Sequence, residues 1–248
     1  MTYTVAIRSP GTGEIGVGMT TCSIAVGGLC PFHSVRGDLV VSQAYASPDD
    51  GLIITRALDE GGTPAGGFEL VRQADPHLSY RQIMVVPATG EILAHTGPDC
   101  RPWAGHLHGE HFVVAGNVLA GPQVVAAMRD SVLETEGLEI GDRLLLALEA
   151  GRAAGGQAAG DGRPLAERSA AIKVVDTSRS PGLPRLDLRV DMHFSALHEL
   201  RRLAEFHKVY GEYSALRDKN PPQSPSMVEY EDRWLRGTSV VERPSVFK

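Results

Sequence analysis

The stretch that decides the fold is TYTVAIRSPGTGEIGVGMTTC, residues 2–22. Polar and apolar residues alternate from Thr2 to Ser9, which is typical of a half-buried β-strand. Pro10-Gly11-Thr12-Gly13 supplies turn residues, and Glu14 to Thr21 resumes the strand pattern. The stretch therefore predicts a β-hairpin at the start of the chain.

Further strands and helices follow from the same signals along the chain. Gly61-Gly62 ends one predicted helix, and Pro122 stands at the first position of another. We expect, in order, a strand over 38–45, a helix ending at residue 60, a short helix over 64–75, a hairpin over 81–96, a loop over 97–110, a strand over 111–115, helices over 122–136 and 141–154, strands over 169–176 and 186–190, and a helix over 195–217.

This order of elements predicts an α/β (α+β) fold with four layers. Two antiparallel sheets that face each other, with helices on both outer sides, would bury every apolar face, so we expect an αββα sandwich. At 248 residues the chain is long enough for one full core, and we assign residues 1–217 to a single domain. The polar stretch 218–248, rich in Pro and Ser, predicts an irregular tail that could lie across a neighbouring subunit.

Composition excludes several classes of partner. The formal net charge is −6, and there is no basic stripe, so no nucleic-acid partner is expected. No stretch is long enough to span a membrane, and the first residues lack the pattern of a signal peptide. The cysteines, Cys22, Cys30 and Cys100, are odd in number and far apart, which favours a reducing compartment. We expect a cytoplasmic homo-oligomer that acts on a small molecule.

A set of short segments along the chain matches the pattern of a known family. The most specific is AGNVLAGP at 115–122. The others are MTYTVA at 1–6, PGTGEIGV at 10–17, AVG at 25–27, SQA at 42–44, TGPDC at 96–100, WAGH at 103–106, LEAG at 148–151 with GG at 155–156, SAA at 169–171 and DLRVD at 187–191. In these segments, which cover residues 2 to about 206, the chain resembles domain of unknown function 1028 (DUF1028). The resemblance implies an αββα fold of the N-terminal-nucleophile-hydrolase type and no settled reaction.

Two places depart from the family pattern. The stretch QAAGDGR at 157–163 is lengthened, and Glu167-Arg168 precede Ser169 where the family usually has Gln. The tail after about residue 210 has no counterpart. Substrate choice or assembly is therefore where this chain can differ from other members.

Thr2 is the central catalytic candidate. In N-terminal-nucleophile hydrolases the freed first residue attacks an amide carbonyl with its hydroxyl or thiol, and its own α-amino group serves as the base. A small residue behind Met1 permits removal of Met1. The alternative is an ordinary strand residue, because Thr favours strands, and a retained Met1 would block the amine.

Asn117 and His106 complete the catalytic set that the resemblance suggests. Asn117 stands before a Gly-Pro helix start, where its amide and a backbone amide could bind an oxyanion. The alternative is a turn residue in the left-handed conformation, which Asn tolerates. His106 could bind or protonate a substrate, and Trp103 would line the pocket beside it.

The histidine-rich region between residues 95 and 111 allows a metal hypothesis. His95, Asp99, His106, His108 and His111 have spacings at which side chains can converge on zinc. No HExxH motif is present, and the fold does not need a metal, so we favour a solvated turn-rich loop and expect no cofactor.

The remaining candidates are substrate-binding residues. Cys100 could be a nucleophile with His106 as its base, although lone cysteines are more often buried apolar groups, as we expect for Cys22 and Cys30. Three polar side chains, Arg8, Ser23 and Ser169, are candidate substrate contacts or ordinary structure.

Three functions remain, in order of preference. The first is an amidohydrolase that cleaves a C–N bond of a small non-peptide amide, cyclic amide or carbamoyl compound with Thr2. The second is a non-catalytic metabolite-binding or assembly module on the same fold. The third is a metal-dependent hydrolase that uses the region between His95 and His111.

Overall fold

The computed structural model describes residues 1–177 and 184–237, which form a mixed α+β structure. Its elements, in chain order, are β1 (Thr2–Ser9), β2 (Glu14–Thr21), α1 (Val26–Leu29), β3 (Pro31–His33), β4 (Leu39–Ala44), α2 (Pro48–Asp59), α3 (Pro64–Ala74), a 3-10 turn (Leu78–Tyr80), β5 (Arg81–Val86), β6 (Leu93–Thr96), β7 (Gly105–His108), β8 (Phe112–Asn117), α4 (Pro122–Glu134), α5 (Ile140–Ala153), β9 (Ser169–Asp176), β10 (Leu186–Val190), α6 (Ala196–Lys219), a second 3-10 turn (Pro221–Gln223) and α7 (Met227–Gly237).

The predicted hairpin lies in the middle of the larger sheet. β1 pairs with β2 from Thr2↔Thr21 to Ser9↔Glu14, and Gly13, with a φ of 70°, closes the turn. The larger sheet has the order β10-β9-β2-β1-β8-β7, and the smaller one has the order β3-β4-β5-β6. Every strand pair in both sheets is antiparallel.

The two sheets pack face to face through one side of the hairpin. The apolar layer between them is built from Ala6, Ile15, Val17, Met19, Val113 and Ala115 of the larger sheet and Leu39, Val41, Met84 and Val86 of the smaller one. Because strand side chains alternate, the even-numbered residues of β1 face this layer. The odd-numbered ones, such as Tyr3 and Val5, face the helices.

Helices cover both outer faces, which gives the predicted four layers. α5 lies directly on the hairpin, because a Cβ added at Gly16 would lie 2.9 Å from Leu144 and one at Gly18 would lie 3.2 Å from the same residue. On the other side, Ile54 and Leu58 of α2 and Val71 of α3 pack against Val40, Ile83 and Val85. The predicted fold class is confirmed.

Short elements are where the structure differs from the expectations. The expected loop over 97–110 contains β7, whose edge position and His-rich sequence hide its strand pattern. α1 and β3 were not predicted either, because four and three residues are too few to show a periodicity.

The tail also differs from its prediction. An irregular segment was expected from residue 218, but α7 occupies Met227–Gly237. Its start is a capping box, because the hydroxyl of Ser226 accepts from the amide of Glu229, and the Glu229 carboxylate accepts from the amide of Ser226 at 2.8 Å. The rings of Tyr213 and Tyr230 then pack 4.8 Å apart. Residues 238–248 of the expected tail lie outside the described residues.

By its internal contacts the chain divides into two units. The first is Met1–Arg201, and the second begins at Arg202, inside α6 rather than after residue 217. Among the helices that the structure describes, none has both the length and the apolar character needed to cross a bilayer.

A buried polar contact ties β1 to the chain segment before β9. The hydroxyl of Tyr3 donates to Oε1 of Glu167, and Nε of Arg152 lies 3.4 Å from Oε2 of the same carboxylate. Burial raises the pKa of Glu167, and the contacts with Tyr3 and Arg152 oppose that rise. The carboxylate therefore depends on these two partners.

Tyr3→Phe is expected to lower the free energy of unfolding by about 1–3 kcal/mol, because it removes a donor from a buried carboxylate while keeping the ring. Denaturant unfolding of this variant and of the exposed Tyr80→Phe measures the effect. Equal stabilities of the two variants would contradict the assignment.

Candidate functional site

Thr2 lies at the start of the central strand β1, between a hydroxyl and an amide of the two neighbouring strands. Its strand partners are Thr21 of β2 on one side and Asn117 of β8 on the other. Directly paired residues share a face of the sheet, so all three side chains face the smaller sheet. Oγ1 of Thr2 donates to Oγ1 of Thr21 at 3.3 Å. The structure thus brings together two of the predicted catalytic residues, Thr2 and Asn117.

Met1 covers this hydroxyl pair. Its carbonyl accepts a hydrogen bond from Oγ1 of Thr21, and its Sδ lies 3.3 Å from Sγ of Cys22. Thr2 is only 5% exposed beneath it. Burial holds the pKa of the Met1 amino group below its ordinary value of 8.0, and the positive charge of Arg101 also lowers it. Burial therefore favours a neutral amine at this end of β1.

A chain of buried amides runs beneath Thr2 and Asn117. Thr4 donates through Oγ1 to Oε1 of Gln43 at 2.6 Å, and Nε2 of Gln43 donates to Oε1 of Gln82 at 2.7 Å. Nδ2 of Asn117 donates to the same oxygen at 3.1 Å. These four side chains are at most 1% exposed, in a layer that is otherwise apolar. A buried polar group is retained only when it is hydrogen-bonded, so these contacts depend on one another.

The orientation of the Gln82 amide is fixed by its surroundings. Its Nε2 lies 2.9 Å from Oγ1 of Thr96 and 3.1 and 3.0 Å from the carbonyl oxygens of Gly105 and Gly116. Three acceptors require a nitrogen there, so the oxygen of Gln82 must face Gln43 and Asn117. Asn117 must in turn present its nitrogen to Gln82, which fixes the direction of its amide as well.

His106 joins the same network through Thr96. Oγ1 of Thr96 lies 2.8 Å from Nδ1 of His106. Burial, and then the charges of His108 and His95, lower the pKa of His106 below 6.5. The imidazole is therefore neutral at neutral pH and can donate or accept one proton. The third predicted catalytic residue is thus connected to Asn117 by side-chain hydrogen bonds.

Two residues with positive φ mark the ends of the strands at this site. Ala44 follows Gln43 with a φ of 72°, and Val118 follows Asn117 with a φ of 56°. This conformation is costly for a β-branched residue such as Val. Strained residues of this kind cluster at functional sites, where the surrounding structure holds them in place.

Ser169 and Ser23 hold the turn beside Thr21. Oγ of Ser169 donates to the carbonyl of Ser23 at 2.9 Å and accepts from the amide of Val26 at 3.1 Å. Ser169 is fully buried, so its hydroxyl is used by the protein itself. Ser23 is exposed at the surface.

Arg8 does not belong with Thr2. Arg8 lies six positions after Thr2, which is about 20 Å along β1. Its guanidinium donates to the carbonyl oxygens of Pro87, Gly90 and Glu110 at 3.2, 2.6 and 2.7 Å, and its Nε donates to Nδ1 of His111 at 3.4 Å. Arg8 therefore holds two loops at the opposite end of the sandwich.

Cys100 and Trp103 lie on the loop next to the site. Sγ of Cys100 donates to the carbonyl oxygens of Tyr80 and Arg81, both at 3.4 Å. Burial raises the pKa of Cys100, so the thiol is protonated and poorly nucleophilic. The ring of Trp103 covers Gly105, where an added Cβ would lie 2.5 Å from a ring carbon.

The candidate metal ligands between residues 95 and 111 do not converge on one point, although the rings of His106 and His108 stack with centres 6.4 Å apart. His95 packs on the ring of Phe68 on the α3 side of its sheet, whereas His106 faces the layer between the sheets. His111 contacts Arg8 at the far end. Within residues 1–177 and 184–237, no three or more His, Cys, Asp or Glu side chains are grouped so as to hold a metal ion.

The family model of DUF1028, described as a family of unknown function, matches residues 2–200. The chain belongs to the DUF1028 family. Its fold is similar to the crystal structure of protein SPO2555 from Silicibacter pomeroyi, a DUF1028 protein, with a TM-score of 0.73 and 27% identity, over 83% of this chain and 85% of that one. No curated protein matches the chain. The predicted resemblance to DUF1028 is confirmed, and the N-terminal-nucleophile-hydrolase type stays a prediction.

The DUF1028 match covers the whole site and leaves out the second unit. It begins at Thr2 and ends at residue 200, one residue before the first unit ends. Thr21, Gln43, Gln82 and Thr96 belong to the site, yet they were not predicted as site residues. Their signal is a polar residue at an inward position of a strand whose other inward residues are apolar.

Gln82→Leu is expected to lower the free energy of unfolding by at least about 2 kcal/mol, because it removes the acceptor that the buried amides of Asn117 and Gln43 share. Thermal and denaturant unfolding measure this against Gln73→Leu, a matched change on the exposed face of α3. An equal, small change in both variants would contradict the network.

Proposed function

We propose that this DUF1028 protein is an amidohydrolase that cleaves a C–N bond in a small non-peptide amide, cyclic amide or carbamoyl compound. The observation that carries the proposal is the position of Thr2, with its hydroxyl beside that of Thr21 and the Asn117 amide on the neighbouring strand. The αββα layering is also that of N-terminal-nucleophile hydrolases. Proteins that share a fold can differ in activity, and the residues around Thr2 are what support hydrolysis here.

Removal of Met1 would assemble the nucleophile. The hydroxyl of Thr21, which now donates to the Met1 carbonyl, would then lie beside the new amine and Oγ1 of Thr2. The Thr21 hydroxyl would hold both the amine and the hydroxyl of Thr2 in position. Burial, the main cause that lowers the pKa of the Met1 amine below 8.0, would act on the amine of Thr2 as well and would favour its neutral, basic form.

The reaction would then follow two steps. Oγ1 of Thr2 attacks the carbonyl carbon while the α-amine takes its proton. The N–H of the Asn117 amide that does not donate to Gln82, together with a backbone N–H, holds the oxyanion. The amine then gives that proton to the leaving nitrogen, and an ester on Thr2 remains. Water, deprotonated by the same amine, hydrolyses the ester and restores the hydroxyl. His106 and Trp103 would line the pocket for the rest of the substrate.

The same proposal needs no metal or other cofactor and no nucleic acid. We further propose a cytoplasmic protein, which its three free, buried cysteines support.

We also propose a homo-oligomer, which is supported by large exposed apolar residues such as Phe194, 76% exposed, and Met192, 53% exposed. Sedimentation velocity tests this, and a single monomer peak would contradict it.

The second candidate is a binding module on the same fold that does not catalyse. It is favoured by the contacts of Met1 with Thr21 and Cys22, because a retained Met1 would leave no free amine on Thr2. Such a protein would bind a small metabolite without converting it.

Thr2→Ala is expected to reduce turnover of small amides by about a thousandfold or more, because it removes the nucleophile while still permitting removal of Met1. Thr2→Ser, which keeps the hydroxyl, is the matched control and should retain activity. In the wild type, kcat/KM should rise with pH through a pKa below 8.0 and then level off as the amine loses its proton. Full turnover by Thr2→Ala would remove the proposed nucleophile, and binding without turnover by the wild type would favour the second candidate.

A further inference from the structure

We infer that the substrate carries a carboxylate, and that Arg101, which lies over the ring of Tyr45 near Thr2, is the residue that selects it. This inference rests on the proposed function and names the substrate class within it: an anionic amide or carbamoyl compound rather than a neutral one.

Arg101 lies at the same end of the central strands as Thr2. Its carbonyl accepts from the amide of Val118 at 3.1 Å, and Val118 follows Asn117, the strand partner of Thr2. The guanidinium carbon lies 5.8 Å from the centre of the Tyr45 ring. Tyr45 comes just after β4, and Gln43 of that strand accepts a hydrogen bond from Thr4 beneath the site. The backbone of Arg101 therefore contacts the residue after Asn117, and its guanidinium contacts the residue after β4.

The charge of Arg101 acts on the first amino group of the chain. Burial is the main reason that the pKa of the Met1 amine is low, and the guanidinium lowers it further. The guanidinium and the amine are therefore within electrostatic range of each other. A substrate with its carboxylate on Arg101 and its amide at Thr2 would require this proximity.

An aromatic wall supports the guanidinium. The rings of Tyr45 and Tyr80 meet edge to face with centres 5.5 Å apart, and they are 42% and 41% exposed. The Tyr45 carbonyl accepts a hydrogen bond from Arg81. The position of the ring is thus set by two independent contacts, and a face of apolar carbon remains open to a bound molecule.

The two arginines at this wall differ in their partners. Nε of Arg81 lies 2.7 Å from Asp75 and 3.6 Å from Asp50, and these side chains are largely buried, so its charge is neutralised. Arg101 is exposed, and across residues 1–177 and 184–237 no carboxylate lies within ion-pair distance of its guanidinium. The guanidinium of Arg101 is therefore a positive charge without a carboxylate partner among the described residues.

The geometry suits a planar anion. A guanidinium that rests on an aromatic ring keeps its N–H groups in the plane free, and these match the two oxygens of a carboxylate. Lys cannot make this paired contact, since its ammonium is a point charge. A ligand with its carboxylate on Arg101 can pack its carbon atoms on Tyr45 and Tyr80 and extend toward Thr2.

Binding to the Thr2→Ala protein tests this inference without any need for turnover. The probes are N-acetylglycine and N-carbamoylglycine, with N-acetylglycinamide and N-carbamoylglycinamide as their neutral counterparts, titrated by NMR or calorimetry. We expect both carboxylates to bind at least about tenfold more tightly than their neutral counterparts, since charge-assisted hydrogen bonds are stronger than neutral ones.

Matched variants assign the effect to one residue. Arg101→Gln should weaken binding of the carboxylates about tenfold and leave the neutral probes unchanged, and Arg101→Lys should restore only part of the loss. Arg36→Gln, an exposed arginine before β4, is the control for net charge and should change nothing. The melting temperatures of these exposed variants should stay close to that of the parent.

Failure of this inference and failure of the proposed function give different results. No binding of either carboxylate at millimolar concentration, or equal binding to Arg101→Gln and its parent, would overturn the role of Arg101. Arg101-dependent binding of the carboxylates without turnover of any carboxylate amide by the wild type would keep the anion site and remove the hydrolase.

Discussion

The pairing of β1 with a strand on each side is the constraint on which the rest of the structure depends. Because Thr2 is paired with Thr21 and Asn117, its hydroxyl has a fixed environment at the start of β1. Because β1 alternates, Tyr3 enters the layer below α5 while Thr4 enters the layer between the sheets. A shift of one residue in this register would exchange the two faces and would remove both the core and the site. Fold and site therefore share one cause.

The buried amides beneath Thr2 show how the interior is divided. Over most of its length the layer between the sheets is apolar, but at the Thr2 end it contains Gln43, Gln82 and Asn117. An unpaired amide there would cost more than its hydrogen bond contributes, so the group is stable only as a complete network. The same network fixes the orientation of each amide. Because the nitrogen of Gln82 faces three acceptors, its oxygen faces Asn117, and Asn117 must present its own nitrogen to that oxygen. A rigid amide beside a nucleophile is what stabilisation of an oxyanion requires.

Much of the fold could be predicted from the sequence, because strands and helices of eight or more residues show their periodicity. The hairpin at 2–22 and α4 and α5 were predicted in this way. α7 was missed because its composition is polar, although Ser226 and Glu229 gave a capping signal. For the site, Thr2, Asn117 and His106 were predicted from resemblance. The structure pairs Thr2 with Asn117 on neighbouring strands and links Asn117 to His106 through Gln82 and Thr96, and the catalytic roles stay predictions. Arg8 was not supported as a substrate contact near Thr2, because it lies at the opposite end of the same strand. The metal hypothesis was not supported, because histidines that are close in sequence lie on opposite faces or ends of the strands. Gln82 and Arg101 depend on contacts between sheets and between loops, which no local pattern contains.

The intact mass of the purified chain, expressed without an N-terminal tag, tests the central claim most directly. The account predicts a mass that lacks Met1, which leaves Thr2 with a free amine next to Thr21. Retention of Met1 on every molecule would contradict it, because the nitrogen of Thr2 would then stay in a peptide bond and could not act as the base.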